Sequence, residues 1–349
     1  TEAPKPHGPL QGIKVLELGQ LIAGPFTGSF LGYFGAEVIK VESPDGDDTR
    51  QWGPPFIERD EDKTASYFHS CNRGKQSVTA DFRTLEGQEH VRDLIKDADI
   101  LIENFKLGGL AKYGLDYDSL KQVNPRLIYC SITGFGQDGP YAHRAGYDYI
   151  IQGMSGLMSI TGDPDGQPQR AGVAITDIFT GVYSVAGILA ALYQRERTGE
   201  GQMVDSAMYD NMLSLNESML ALFSVAGPSP HRGRPRNAYP RGAYRTKDGY
   251  IALNVPDERI WQRLAGVIGH PELAEDERTC SGPARAANRE FLDPIIDALQ
   301  RICDLVVELR EAGHSIELLD VGGGLGITYD RERPPSAAEY GGAIIATVG

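Results

Sequence analysis

The sequence predicts an α/β fold: a doubly wound, Rossmann-like large domain followed by a smaller α+β domain. Three observations carry this. Short apolar runs alternate with helix-spaced segments between residues 13 and 136, the order of a parallel sheet with crossover helices. A Pro-, Gly- and Arg-rich stretch, "GPSPHRGRPRNAYPRG" (227–242), reads as a linker. Beyond it, "GAYRTKDGYIALNV" (242–255) reads as a hairpin turning at "KDG", and helices are expected from about 257 to 300.

In chain order, "IKVLEL" (13–18) reads as a buried strand. Phe26, Phe30, Leu31 and Phe34 then fall at helical spacing, and "EVIKVE" (37–42) is a second strand. "SPDGDDTRQWGPPF" reads as a loop and "SVTADF" (77–82) as a strand. A helix over 85–97, a strand in "ADILIENF" and a strand in "RLIYCSITGFG" (126–136) follow. From Gly146 to about Ser224 the pattern turns helical, with "VYSVAGILAALYQRER" (182–197) stopped by "TGEGQ".

The 349 residues suffice for two or three domains, and 41% hydrophobic residues allow a sizeable core. A formal net charge of -14 argues against general affinity for nucleic acid or anionic membranes, which need basic surface. Cys71, Cys130, Cys280 and Cys303 form no CxxC pair and no zinc spacing, so no metal is expected. Scattered cysteines fit a reducing cytoplasm. Residues 1–10 lack a signal-peptide design, and no apolar run reaches the ~20 residues that span a bilayer. A soluble cytoplasmic protein is expected.

Asp177, in "GVAITDIFTG", is the strongest local candidate for chemistry. It ends a strand-like run and opens a helix, so it is either an N-cap or a functional carboxylate. Helix N-terminal amides would keep it ionised at neutral pH, as a covalent nucleophile needs. Gly172 and Gly181 would let a bulky ligand approach. Lys40, Arg73, Lys75, Arg83, Lys106 and Lys112 fall near strand ends, either as ordinary charged surface or as a pocket for a polyanion. "GFGQDGPYAHRAGYD" (134–148) has the character of an active-site loop.

Four long stretches resemble the class III CoA-transferases, the formyl-CoA and carnitine CoA-transferase type. They are residues 9–50, "NRGKQSVTADFRTLEG" (72–87), residues 98–141 and "AITDIFTGVYSVAGILAALYQRERTGEGQMVDSAMYD" (174–210). "GAYRTKDGYIALNV" and "NREFLDPIIDAL" resemble the small domain, so the likeness spans about residues 8–300. It implies a large CoA-binding domain over 1–226 and a linker with small domain over 227–300. It implies Asp177 as the nucleophile that attacks an acyl-CoA thioester, with a carboxylic acid as acceptor and a homodimer as the assembly. It places CoA contacts on Ile22, Ala23, Asp81, Phe82, Arg83, Asn104, Phe105, Lys112, Gly134, Phe135 and Met208. Ser43 stands where that family often has an Arg. Acyl-CoA racemases share the fold and pair the Asp with a His. Tyr147 occupies that place here, and a phenol of pKa ~10 is a poor proton shuttle beside an imidazole of ~6.5, which favours transferase over racemase.

After about residue 300 the likeness changes. Residues 301–349 read as a helix, a strand, a glycine loop and a last helix opened by Ser336 and Glu339. This foreign segment resembles a fragment of the diaminopimelate decarboxylases, in which a triple glycine such as Gly322, Gly323 and Gly324 lies against the PLP phosphate. A Schiff-base lysine and an Glu-Pro-Gly-Arg-like loop are missing, and the segment is too short for a barrel of ~250 residues. The loop is therefore expected to be vestigial and PLP not to be the cofactor. Three functions stay open: a CoA-transferase, a CoA-binding protein without activity because its C-terminal part is replaced, and a PLP-dependent decarboxylase suggested by the tail alone. The identities of acyl donor and acceptor stay open as well.

Overall fold

The structure is a computed structural model that describes residues 7–59, 62–227, 232, 238–245 and 250–297. The chain divides into two compact units, Thr1–Ser229 and Pro230–Gly349.

In the first unit, β1 (Lys14–Glu17) leads through α1 (Ala23–Tyr33) to β2 (Glu37–Glu42). A 3-10 turn, Asp48–Gln51, precedes the hairpin β3 (Phe56–Arg59) and β4 (Asp62–Ala65), then α2 (Ser66–Asn72). β5 (Gln76–Thr79), α3 (Leu85–Lys96), β6 (Ile100–Glu103), α4 (Tyr117–Val123) and β7 (Ile128–Thr133) continue the winding. Three helices follow: α5 (Asp148–Met154), α6 (Leu157–Ile160) and α7 (Ile175–Thr198). β8 (Met203–Ala207), α8 (Met208–Leu215) and α9 (Glu217–Ala226) complete the unit.

β5-β2-β1-β6-β7-β8 form one sheet in which every neighbouring pair is parallel. Numbered within the sheet, the order is 3-2-1-4-5-6, the doubly wound Rossmann order, with its switch point between β1 and β6. The near-continuous apolar strands follow from burial on both faces. Val15, Ile100, Ile102, Ile128 and Cys130 face α1 and α7. Leu16, Leu101 and Tyr129 face the opposite layer, with Val91 and Ile95 of α3 and Leu120 of α4.

Three expectations are corrected here. The stretch after Gly146 is not helical throughout, because Met203–Ala207 adds the edge strand β8. Its five residues "MVDSA" carry too few apolar positions to show a buried strand, and pairing with β7 decides the matter. The loop after Ser43 contains the Asp48–Gln51 turn, capped when Asp47 accepts from the Thr49 amide, and it ends in β3. α7, at 24 residues, is long and apolar enough to cross a membrane by length and composition. Its Val185, Ile188 and Ala191 instead pack on the sheet.

The second unit contains the antiparallel hairpin β9 (Arg241–Arg245) and β10 (Tyr250–Asn254), then α10 (Glu258–Val267), α11 (Gly282–Ala287) and α12 (Arg289–Asp297). Its core gathers Tyr239, Leu253, Trp261, Leu264, Leu292 and Ile296. Arg285 is buried there, donating to the carbonyls of Tyr239 (2.7 Å) and Thr279 (2.9 Å). The Gly322–Gly324 loop, Cys303, the whole 301–349 segment and the "KDG" turn lie outside the described residues, as does most of the linker.

Candidate active site

A cavity of about 190 Å3 opens at the carboxyl ends of β1, β6 and β7, where a doubly wound sheet offers its crevice. Ala23, Asn104, Phe105, Gly134, Met208 and Asp177 all line it, so six of the twelve positions that the resemblance assigns to the nucleophile and to CoA contacts converge on one place.

The β1–α1 turn forms one wall. Leu21 adopts φ 66°, a left-handed conformation that is costly for a non-glycine residue and common where function holds the backbone. Asn104 fixes this turn from the end of β6: it accepts from the Gln20 amide and donates to the Gln20 carbonyl, both at 2.8 Å. Ile22 is the N-cap of α1 and offers no side-chain cap, which leaves first-turn amides available at the mouth.

Below the turn lies a buried ion network. Lys40 reaches Glu17 (3.0 Å), Asp47 (2.9 Å) and the Gly19 carbonyl (2.7 Å). Lys75 reaches Glu17 (2.8 Å), the Pro25 carbonyl (2.7 Å) and Asn72 (2.9 Å). Desolvation pulls the Lys40 ammonium down, but Glu17 and Asp47 outweigh it and its pKa ends above the ordinary lysine value. Desolvation prevails at Lys75, whose pKa is lowered. Lys40 and Lys75 therefore brace the β1–α1 turn from beneath and do not belong to an open basic pocket. Their partners are remote in sequence, which is why strand-end position alone misassigned them. Arg83 is taken up by Asp81 (2.7 Å). Lys106 is exposed on the cavity wall.

Beside the cavity, Phe82 meets Phe105 edge-on (5.7 Å) and Tyr113 (5.4 Å), and Lys112 lies over Tyr113 (4.6 Å). Phe82, Arg83, Phe105 and Lys112 thus share an aromatic and cationic ledge, although Asp81, Phe82, Arg83 and Lys112 do not line the cavity itself. Phe135 packs on Tyr141 and Tyr209 behind it. A second cavity of about 310 Å3 shares the Phe105–Leu107 wall and has Glu103, Ser131 and Gln137 among its lining. Burial pushes the Glu103 carboxyl up to about 7.

At Gly134 the backbone after β7 runs against Gly146: a Cβ there would meet the Gly146 Cα at 2.5 Å. Gly181 admits α1 rather than a ligand, since a Cβ on it would meet Phe26 at 2.7 Å. Gly172 has open space around it.

Asp177 is the third residue of α7, not its cap, and "GVAI" is not a strand. The capping carboxylate is Asp148 of α5, whose Oδ1 accepts from the Thr176 amide (3.0 Å) and hydroxyl (2.8 Å). The short spacing to the helix start suggested the cap, but a residue 28 positions upstream supplies it. Asp177 keeps its carboxyl for the cavity. Desolvation, then repulsion from Asp148, push its pKa up to about 7, so the expectation of a fully ionised side chain is corrected. The macrodipole does not offset burial next to a second carboxylate. Tyr147 is exposed at the cavity rim, and His143 and Arg144 complete the wall. Sequence reading missed Gln20, Leu21, Leu107, His143 and Arg144; only the glycine-rich character of 134–148 pointed toward the last two.

The profile of CoA-transferase family III matches residues 10–305. The chain belongs to that family. Succinate--glutarate CoA-transferase of Agrobacterium fabrum is 51% identical over 301 residues, covering 85% of this chain and 75% of that protein. Succinyl-CoA:glutarate CoA-transferase of Mus musculus is 39% identical, covering 83% of this chain and 66% of that protein. A crystal structure of a CAIB/BAIF family protein from Brucella suis superimposes with a TM-score of 0.76 at 45% identity, covering 98% of this chain and 100% of that one. Residues 289–349 match a different profile, the pyridoxal binding domain of pyridoxal-dependent decarboxylases.

Proposed function

We propose that this family III enzyme moves CoA from an acyl-CoA to a carboxylic acid, with Asp177 as the covalent carrier. The observation that carries the reading is the placement of Asp177 in the switch-point cavity together with Ala23, Asn104, Gly134 and Met208. The Asp177 carboxylate attacks the thioester carbonyl, the C–S bond breaks and the CoA thiolate leaves, which gives a mixed anhydride. The thiolate then attacks the Asp177 carbonyl and releases the first acid as its carboxylate, leaving an aspartyl-CoA thioester. The acceptor carboxylate attacks that thioester, and the returning thiolate completes the new acyl-CoA and frees Asp177. A half-buried setting suits both intermediates because water would hydrolyse them.

In this reading residues 1–226 bind CoA. Its thioester end lies beside Asp177, and its nucleotide lies toward the ledge of Phe82, Arg83, Phe105 and Lys112. Residues 227–300 form the small domain, and the chain acts in the cytoplasm as a homodimer. The 301–349 segment takes no part in the chemistry, and PLP is not used. The relatives named for succinate and glutarate, with Arg144 and His143 on the cavity wall, support dicarboxylic acids as donor acyl group and acceptor. The test is a CoA-exchange assay from succinyl-CoA to a panel of mono- and dicarboxylates. Turnover with dicarboxylates, lost in Asp177→Ala, supports the reading. Full exchange by Asp177→Ala, or no exchange with any acid, contradicts it.

A further inference from the structure

The aspartate that opens α5 is tied to the nucleophile's helix more closely than a surface cap requires. Asp148 Oδ1 holds both polar groups of Thr176, the residue immediately before Asp177. Its Oδ2 accepts from Gln152 Nε2 (2.8 Å). Gln152 is fully buried, and its Oε1 accepts from the Ala171 amide (2.8 Å), which fastens the segment leading into α7. Asp148 thus grips the residue next to Asp177 through both of its polar groups.

We propose that Asp148, held by Gln152, is a positioning residue for Asp177: it fixes the first turn of α7 through Thr176 and holds its own carboxylate against the residue next to Asp177. This rests on the assignment of Asp177 as the CoA carrier. The physical logic is a compromise. A carboxylate of higher pKa is a stronger nucleophile, but less of it is ionised, and a neighbouring negative charge moves both properties together. The other charged or titratable groups facing Asp177 are Tyr67 of α2, Lys106 after β6, and His143, Arg144 and Tyr147 before α5. α1 and α8 present Ala23 and Met208 to the cavity and add no charge. Asp148 is the carboxylate among these groups, so its removal shifts Asp177 in one direction.

Asp148→Asn keeps an acceptor for Thr176 and removes the charge. The titration of Asp177, followed by 13C NMR of its carboxyl and assigned with Asp177→Asn, should move down by about half a unit or more. The acid limb of kcat/KM should follow, and the plateau should fall several-fold with KM for acyl-CoA little changed. Thr176→Val keeps the charge but drops one tether: kcat should fall while the NMR midpoint stays. An unchanged midpoint in Asp148→Asn, or wild-type kcat in Thr176→Val, overturns the proposal. The NMR readout does not depend on turnover. Absence of exchange in the wild-type chain would therefore count against the carrier role of Asp177 without touching its link to Asp148.

Discussion

Placing an ionisable carboxyl in a half-buried cavity beside another carboxylate should cost stability, and removing its charge should recover it. The Asp177 carboxyl is raised from 3.8 to about 7. Its folded pKa exceeds its unfolded one, so the folded state binds the proton more tightly and loses stability as pH rises from about 4 to about 7. Three units at ~1.4 kcal/mol each set an upper bound of about 4 kcal/mol, and partial solvent access through the cavity mouth reduces this to about 1–2 kcal/mol. Asp177→Asn removes the charge and keeps the shape. At pH 8 its first unfolding transition should lie roughly 2–8 °C above wild type, from ~2–4 °C per kcal/mol for a unit of this size. At pH 4, where wild-type Asp177 is protonated, the two proteins should coincide. Differential scanning calorimetry at the two pH values decides it. An Asn variant less stable than wild type at pH 8, or a gain independent of pH, would refute the burial argument.

With Asp177 as the proposed carrier, CoA exchange should show an acid limb near pH 7: only the ionised form would attack, so the rate should rise through that pH and drop about tenfold per unit well below it, as stopped assays across pH 5–9 would show. Lys40→Met leaves Glu17 and Asp47 buried without their shared cation, and urea unfolding at neutral pH should lose about 3–5 kcal/mol. Asn104→Ala removes both hydrogen bonds to Gln20. It should cost about 1–3 kcal/mol and raise KM for acyl-CoA, whereas Lys112→Ala should leave stability unchanged and raise KM alone.

The parallel sheet was legible because its strands are written in the residues themselves. "KVLE", "EVIKVE" and "IYCSIT" are apolar on both faces and sit between helix-spaced segments. β8 escaped because an edge strand with Asp205 and Ser206 needs only one buried neighbour, a fact that pairing reveals and composition does not. The placement of Asp177 in the first turn of a long helix was legible in the residues, while its proposed role comes from the family likeness. The identity of its helix cap was not, since Asp148 and Thr176 meet only after the chain has made a complete excursion through α5 and α6. Lys40 and Lys75 read as charged surface or as part of a polyanion pocket, and neither holds, for the same reason: their partner Glu17 is remote in sequence, and burial makes them a brace. The left-handed Leu21 left no trace in the sequence, because nothing in the residue type announces a backbone that surrounding contacts impose.

Asp177 as the carrier of CoA is the central proposal for this chain. Incubation with succinyl-CoA, rapid quenching and mass spectrometry of the peptide containing Asp177 test it directly. A CoA thioester is expected on that peptide, cleaved by hydroxylamine to free CoA and an aspartyl hydroxamate that stays on the peptide, and absent from Asp177→Asn. A thioester on any other residue, or exchange without an adduct and undiminished in Asp177→Asn, would contradict it.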